Sequence, residues 1–298
     1  MKIGFIGCVE SSLLALNVLL SLKQNNIEVV AVITKDKSTF NTDHVDLSDV
    51  CKSNGIPFHF EENNNKNASM EFMGVYQPDI IYCFGWSYLI EKEFINMPPK
   101  GVIGFHPAKL PQNRGRHPII WALALGLEIT GSTFFQMEEG ADTGPILSQV
   151  DIHIAQKDDA KILYNKILDS MALQIKDFTL ALANGTAEFT CQDHSKATNW
   201  RKRTREDGLI DWRMQAADIY NLIRALAKPY PGAEFQYLDE LQSVWESKIS
   251  KELFSRNIEP GTVLSIGDSS MIIKTGGNTA IELISLEMNK LPQVGHYL

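Results

Sequence analysis

A histidine at the end of a buried strand, facing an irregular loop, is well placed to carry protons, and His106 is where this chain offers one. It follows the apolar run 102–105, after which Pro107 and Pro111 stop both strand and helix. A polar turn then carries Asn113, Arg114, Gly115, Arg116 and His117, and Pro118 opens an apolar helical run, 119–127. A catalytic imidazole needs a carboxylate that fixes its tautomer and supports its protonated form. Asp142, in the loop Met137-Glu-Glu-Gly-Ala-Asp-Thr-Gly, can supply one, with Glu138 and Glu139 as rivals. The competing account is structural. Most of the seven histidines need no function: His59, His153 and His194 fit solvent-facing strand or loop positions, and a turn carboxylate often only caps its own backbone. No His/Cys cluster has metal-ligand spacing, so no metal is expected.

The elements that must position these residues alternate. Residues 2–6 read as a strand ending at Gly7, 13–23 as a helix capped by Ser11 or Ser12, and 27–34 as a second buried strand. Helices at 45–53 and 70–76 then alternate with strands at 57–60 and 78–85. This spacing predicts parallel βαβ units in an α/β, Rossmann-like doubly wound sheet. Gly4-Phe-Ile-Gly7 lacks the G-x-G-x-x-G spacing that brings backbone to a pyrophosphate, and reads as a tight strand-to-helix turn. Residues 130–136 and 145–154 read as two antiparallel strands, and 160–184 as a long amphipathic helix ended by Gly185. A helix at 216–227 is broken by Pro229-Tyr-Pro-Gly232. Short strands around glycine turns follow at 233–238, 242–250, 261–266, 270–274 and 280–286, a small β-barrel-like, OB-type pattern. The expected division is a catalytic domain over 1–199, a connecting hairpin and helix over 200–232, and a C-terminal β domain over 233–298.

With 298 residues, 44% hydrophobic and 21% charged, the chain can bury one large core or two medium ones. No apolar run reaches membrane-spanning length, and the N-terminus reads as a strand, not a leader. The four scattered cysteines, without a CxxC pair, fit reduced thiols in a cytoplasmic enzyme. A net charge of −8 argues against a polyanionic partner.

Several stretches together resemble the folate-dependent formyltransferase family, which includes methionyl-tRNA formyltransferase and the nucleotide-sugar N-formyltransferases. The family's hallmark is Asn-x-His-Pro-Ser-Leu-Leu-Pro-x-x-Arg-Gly with a later Asp-x-Gly loop. Here the matching residues are Gly104-Phe-His106-Pro-Ala-Lys-Leu-Pro111-Gln-Asn-Arg114-Gly115 and Asp142-Thr-Gly144. Pro78-Asp79, Phe84-Gly85, Asp207-Gly-x-Ile-Asp-Trp212 and Pro229-Tyr-Pro-Gly-Ala233 add to the match. The resemblance implies formyl transfer from 10-formyltetrahydrofolate to a primary amine, with His106 as general acid/base and Asp142 orienting it. It also implies that the pterin lies against Phe84, Gly85, Trp86, Tyr88, Leu89 and Ile90 on one side and Glu139, Gly140 and Ala141 on the other.

The chain departs from that pattern at one position. The family's asparagine, two residues before the histidine, helps hold the developing oxyanion, and this chain has Gly104 there. Losing one such donor lowers rates by roughly a hundred- to a thousandfold. Asn113, or a backbone N–H or water nearby, is a candidate replacement; the alternative is that Asn113 only shapes its loop.

The acceptor is read from charge. The acidic chain suits tRNA poorly, and Cys8-Val-Glu10-Ser-Ser is neutral to acidic where a tRNA enzyme would carry a basic loop. The basic run of Arg201, Lys202, Arg203 and Arg205 reads as a solvated hairpin, or else as a phosphate contact. A nucleotide-linked amino sugar of surface-glycan synthesis is therefore the expected acceptor, with Arg114, Arg116 and His117 as candidate contacts to the sugar or its diphosphate; the alternative for Arg114 is that it anchors the loop internally. Methionyl-tRNA formylation is the alternative in kind. A non-catalytic folate- or amine-binding protein and a formyltetrahydrofolate hydrolase are alternatives of another class. Small-molecule substrates, no membrane, no nucleic acid and room for a homodimer complete the expectations.

Overall fold

In the computed structural model, which describes residues 1–38, 42–62, 66–87, 90–284, 288 and 290–298, strands and helices alternate as the periodicity predicts. In chain order they are β1 (Lys2–Ile6), α1 (Glu10–Ser21), β2 (Glu28–Thr34), α2 (Ser48–Asn54), β3 (Phe58–Phe60), α3 (Lys66–Tyr76) and β4 (Ile80–Cys83). Next come α4 (Lys92–Ile95), β5 (Val102–His106), β6 (Arg114–Gly115), α5 (Pro118–Ala124), β7 (Ile129–Gln136), β8 (Ile146–His153) and α6 (Ala160–Asn184). The chain continues through β9 (Asn199–Trp200), α7 (Ala216–Ala225), β10 (Ala233–Tyr237), β11 (Glu240–Val244), β12 (Glu246–Ile249), β13 (Val263–Ile266), β14 (Ser270–Lys274) and β15 (Ala280–Ile284).

The main sheet has the order β3-β2-β1-β4-β5-β7-β8. Its first five strands are parallel, and β7 runs antiparallel to β5 with Thr133 opposite His106 and Phe135 opposite Gly104. Successive side chains of a strand point to opposite faces. Ile103 and Phe105 therefore join Phe5, Tyr82, Phe84 and Phe134, packed against Leu16 of α1 and Ile175 and Phe178 of α6. Val102 joins Ile6, Ile33, Met73 and Phe94 on the other face, and Gly104 and His106 share that side. With both faces covered, β1, β4 and β5 are almost wholly buried, and each fully buried aromatic or branched side chain contributes about 1.5–3 kcal/mol.

One local expectation changes. α1 starts at Glu10, so neither Ser11 nor Ser12 is its N-cap; Val9 is. Only three residues separate β1 from α1, and Ser12 falls on the first turn, wholly buried. Its Oγ accepts the Val9 N–H at 3.2 Å and donates to the Phe84 carbonyl at 2.6 Å, joining the turns after β1 and β4. α6 spans the expected residues, and Gly185 ends it with φ +73°.

The chain forms two compact units. The first is Met1–Gly115, Gly131–Ile152 and Lys166–Asn199; the second is Arg116–Thr130, His153–Asn165 and Trp200–Leu298. The second unit thus draws in two segments from before residue 199, which the sequence places wholly in the catalytic domain. The reason is packing at long range, which periodicity does not report: α5 lies against α7, and the Arg224 guanidinium of α7 donates to the carbonyls of Ala155 and Asp158 at 3.1 and 2.9 Å. Beyond α7 the strands form an antiparallel β10–β11 hairpin and an antiparallel sheet ordered β12-β15-β14-β13. The expected strand 242–250 is divided at Trp245 between β11 and β12. Among the described residues no helix is long and apolar enough to cross a membrane.

Candidate active site

His106 ends β5, is 5% exposed, and has both ring nitrogens engaged within the first unit. Nε2 lies 2.7 Å from the main-chain carbonyl of Asn113. A carbonyl only accepts, so Nε2 carries a proton in this arrangement. Nδ1 faces Asp142 Oδ2 at 3.6 Å, an ion-pair separation rather than a hydrogen bond. The same Oδ2 accepts the Gly115 N–H at 2.9 Å, which aims the carboxylate at the imidazole. The rival carboxylate Glu139 is paired with Lys92 on an exposed loop, so Asp142 is the one the fold brings to His106.

Both loops hold disfavoured backbone. Asn113 and Asp142 have φ of +63° and +56°, in the left-handed region that non-glycine residues rarely adopt and that Asn and Asp tolerate best. A Cβ at Gly144 would lie 1.8 Å from the Gln136 carbonyl oxygen, so only glycine lets the Asp142 loop close onto β7. Non-glycine residues held this way cluster at functional sites, where surrounding bonds over-determine them.

Those bonds come from residues 192–198. Gln192 Nε2 donates to the carbonyls of Asp142 and Gly144 at 2.9 and 2.7 Å, and its Oε1 accepts from Arg114 at 2.6 Å. Thr198 Oγ1 accepts the Asn113 N–H at 2.8 Å and donates to Asn113 Oδ1 at 3.2 Å. No motif marks either residue, since each gains its place only when separate segments meet.

Gly104 lies on the same strand face as His106. A Cβ there would come within 2.9 Å of Met137 Cγ and 3.0 Å of Phe135 Cζ. The space that the family's asparagine would enter holds these two side chains.

The other expected site residues separate. Arg114 is 6% exposed and turned to Gln192 and His194 Nδ1, so its guanidinium anchors the loop internally. Arg116 and His117 belong to the second unit. There His117 Nδ1 accepts the Arg203 N–H, and burial, then the charges of Arg116, Arg203 and Lys202, hold its imidazole below the usual histidine range. The Phe84 ring is wholly buried among Phe5, Tyr82 and Phe134, a core position, while Gly85, Trp86 and Ile90 are half-exposed. Tyr88 and Leu89 lie outside the described residues. Glu139, Gly140 and Ala141 are exposed, and the first two line an open cleft with Lys92, Ile95, Pro98, Pro99, Gly101 and Met137. Among the described residues no group of three or more His, Cys, Asp or Glu could hold a metal ion.

The arrangement suits proton transfer: an imidazole with one nitrogen facing a carboxylate and the other on a main-chain carbonyl. Against known families, the formyl transferase model matches residues 1–175, and that of the formyl transferase C-terminal domain matches residues 202–294. The bifunctional polymyxin resistance protein ArnA of Wigglesworthia glossinidia brevipalpis is 39% identical over 212 residues, 70% of this chain and 32% of ArnA. The chain thus covers about a third of that relative's length. Among solved structures, WlaRD, a sugar 3N-formyl transferase crystallised with dTDP and 5-N-formyl-THF, superposes with a TM-score of 0.73 at 17% identity, over 98% of this chain and 99% of WlaRD. The N-formyltransferase of Helicobacter canadensis, in complex with folinic acid and dTDP-3-aminofucose, gives 0.75 at 17% identity, over 96% of this chain and 100% of that one. At such identities the likeness is one of fold.

Proposed function

Since the chain belongs to the formyl transferase family, we propose that it transfers a formyl group from 10-formyltetrahydrofolate to the amine of a nucleotide-linked amino sugar. The observation that carries this reading is the placement of His106 between the Asp142 carboxylate and the Asn113 carbonyl. The cleft sets Ile95, Pro98, Pro99 and Met137 among polar groups of Lys92, Asn96, Gln136 and the exposed 138–140 turn. When bound, the folate supplies an electrophilic formyl carbon.

The chain's own residues then have to manage protons and charge. The amine attacks only as the free base, so its ammonium proton must leave. Once Nε2 of His106 leaves the Asn113 carbonyl, the neutral ring can carry its one proton on Nδ1 beside Asp142, so that Nε2 accepts the amine's proton; the Asp142 carboxylate stabilises the imidazolium that forms, and the proton passes from Nε2 to the folate nitrogen as that nitrogen leaves. Because Thr198 occupies Asn113 Oδ1, the NH₂ end of that carboxamide is turned away from Thr198. It can meet the negative charge that develops during attack, the role left open by Gly104.

Two observations favour a small acceptor over tRNA. The curated relative and both solved structures are, by name or bound ligand, linked to sugar modification or resistance rather than to tRNA. The basic run is also partly neutralised: of its four cations, Arg201 pairs with Asp207 and Arg205 with Glu234, while Arg203 is turned to the Asp207 carbonyl. A cytoplasmic location is part of the same proposal, since that is where formyl-folates and nucleotide sugars meet.

The test follows tetrahydrofolate release from 10-formyltetrahydrofolate with dTDP- and UDP-linked 3- and 4-amino sugars, with Met-tRNA, and with no amine. We expect release that depends on an amino sugar and falls roughly 10²- to 10⁴-fold in His106→Ala. Asn113→Ala should lose roughly 10²-fold in kcat. Release without amine would mean hydrolysis, and release only with Met-tRNA would replace the sugar by tRNA.

A further inference from the structure

The two loops of the site each end on a single short segment, 192–198, and each is in a backbone conformation that needs outside support. Gln192 is 7% exposed, and its orientation is unambiguous. A guanidinium only donates, so the carboxamide oxygen faces Arg114 and the NH₂ group faces the Asp142 and Gly144 carbonyls. At the other end of the segment, Thr198 makes two bonds to Asn113 and a third to Arg114. Its hydroxyl engages both the amide and the carboxamide, and its carbonyl accepts the Arg114 N–H at 2.9 Å. Arg114 closes the figure, since it neighbours Asn113 in the chain and holds Gln192 through space. Its guanidinium is buried with acceptors on Gln192 and His194 but with an Nε that has no partner among the described residues. Burying a charge on neutral acceptors is unfavourable for folding, and an apolar residue would fill that space at less cost.

We propose that Gln192 and Thr198 are positioning residues for the transfer, Gln192 holding Asp142 against His106 and Thr198 orienting Asn113. The proposal rests on the functional reading above. Neither residue touches the reacting atoms; each acts through the loop it holds. Displacing a reacting group by about 1 Å can lower a rate on the order of a hundredfold. Slack in either loop therefore shows in turnover before it shows in folding.

Two variants keep the fold while removing the support. Gln192→Glu retains an acceptor for Arg114, pairs its charge, and loses both donors to the Asp142 loop. Thr198→Val removes the hydroxyl at nearly constant shape, and Thr198→Ser returns it. The first readout is hydrogen exchange of the Gly115 amide by NMR, because that N–H reports directly on Asp142 Oδ2. We expect exchange about tenfold faster in Gln192→Glu. The second is steady-state kinetics with 10-formyltetrahydrofolate and the amino sugar the wild type uses. We expect kcat to fall roughly ten- to a hundredfold in Gln192→Glu and Thr198→Val, KM for the folate to stay within threefold, and Thr198→Ser to regain most of the rate. Unchanged Gly115 exchange and kcat in Gln192→Glu would overturn the role of Gln192. Equal rates for Thr198→Val and Thr198→Ser would overturn that of Thr198. A wild type that formylates no acceptor overturns the functional reading alone, because Gly115 exchange still scores the hold on Asp142.

Discussion

Placing an asparagine at 104 does not return the family's arrangement to this chain, because Phe135 and Met137 already fill that strand face. Overpacking a filled site destabilises by about 1–3 kcal/mol. Gly104→Asn should lose that much in urea denaturation without any gain in kcat, and adding Met137→Ala should recover at least half of the lost stability. A Gly104→Asn protein as stable as wild type would mean the two side chains move aside freely. At this scale the sequence was legible where one residue type sat in a telling local context. His106 after an apolar run is such a case, and Asp142 in its glycine-flanked loop is another. Gln192 was illegible, since a glutamine far along the chain carries no local signal of the loop it will hold. Arg114 was legible only as a choice between meeting the acceptor and anchoring its loop, because a motif says nothing about which way a long side chain turns, and the structure turns it inward.

The basic run after β9 shows the same limit for elements. Its composition reads as a solvated or phosphate-binding hairpin, but the fold makes it a capped turn. Residues Arg205–Gly208 form a 3₁₀ turn with Thr204 at its N-cap and Asp207 answering from the third position. Asp207 accepts the Thr204 N–H at 2.7 Å and two bonds from Arg201. The Arg201 guanidinium holds the Asp207 carboxyl far below the usual carboxylate range. A carboxyl depressed in the folded state stabilises it above the unfolded pKa of about 3.9, and that contribution fades as pH falls toward the depressed value. Asp207→Asn should therefore melt lower than wild type at pH 7, by roughly 1 kcal/mol for the lost capping and charge. The gap should narrow steadily below about pH 4. A gap independent of pH would assign the effect to packing instead. By contrast, α6 was readable end to end, because 25 residues of helical periodicity and a terminal glycine leave little else to decide.

The parallel half of the main sheet, its antiparallel extension and the C-terminal antiparallel strands all follow from the alternation of elements. The partition into two units does not, because segments 116–130 and 153–165 cross into the second. At this scale the cysteines offer a direct check. Cys8, Cys51 and Cys83 are buried and Cys191 is exposed; burial pushes the Cys51 thiol up to about 12 and raises Cys83 further. A thiol-disulfide reagent should label one of the four thiols rapidly in the native protein and all four in denaturant. Fast labelling of two or more would contradict the packing around β1, β4 and α2. The crossing of α5 into the second unit also has a consequence in time. Ile119, Ile120 and Leu123 of α5 are buried in the finished fold, yet α7, which covers that helix, is made some ninety residues later. At 5–20 residues per second a nascent chain displays those side chains for about 5–20 seconds before their partner emerges. During every round of synthesis the α5 segment is thus the natural stretch for a chaperone to hold.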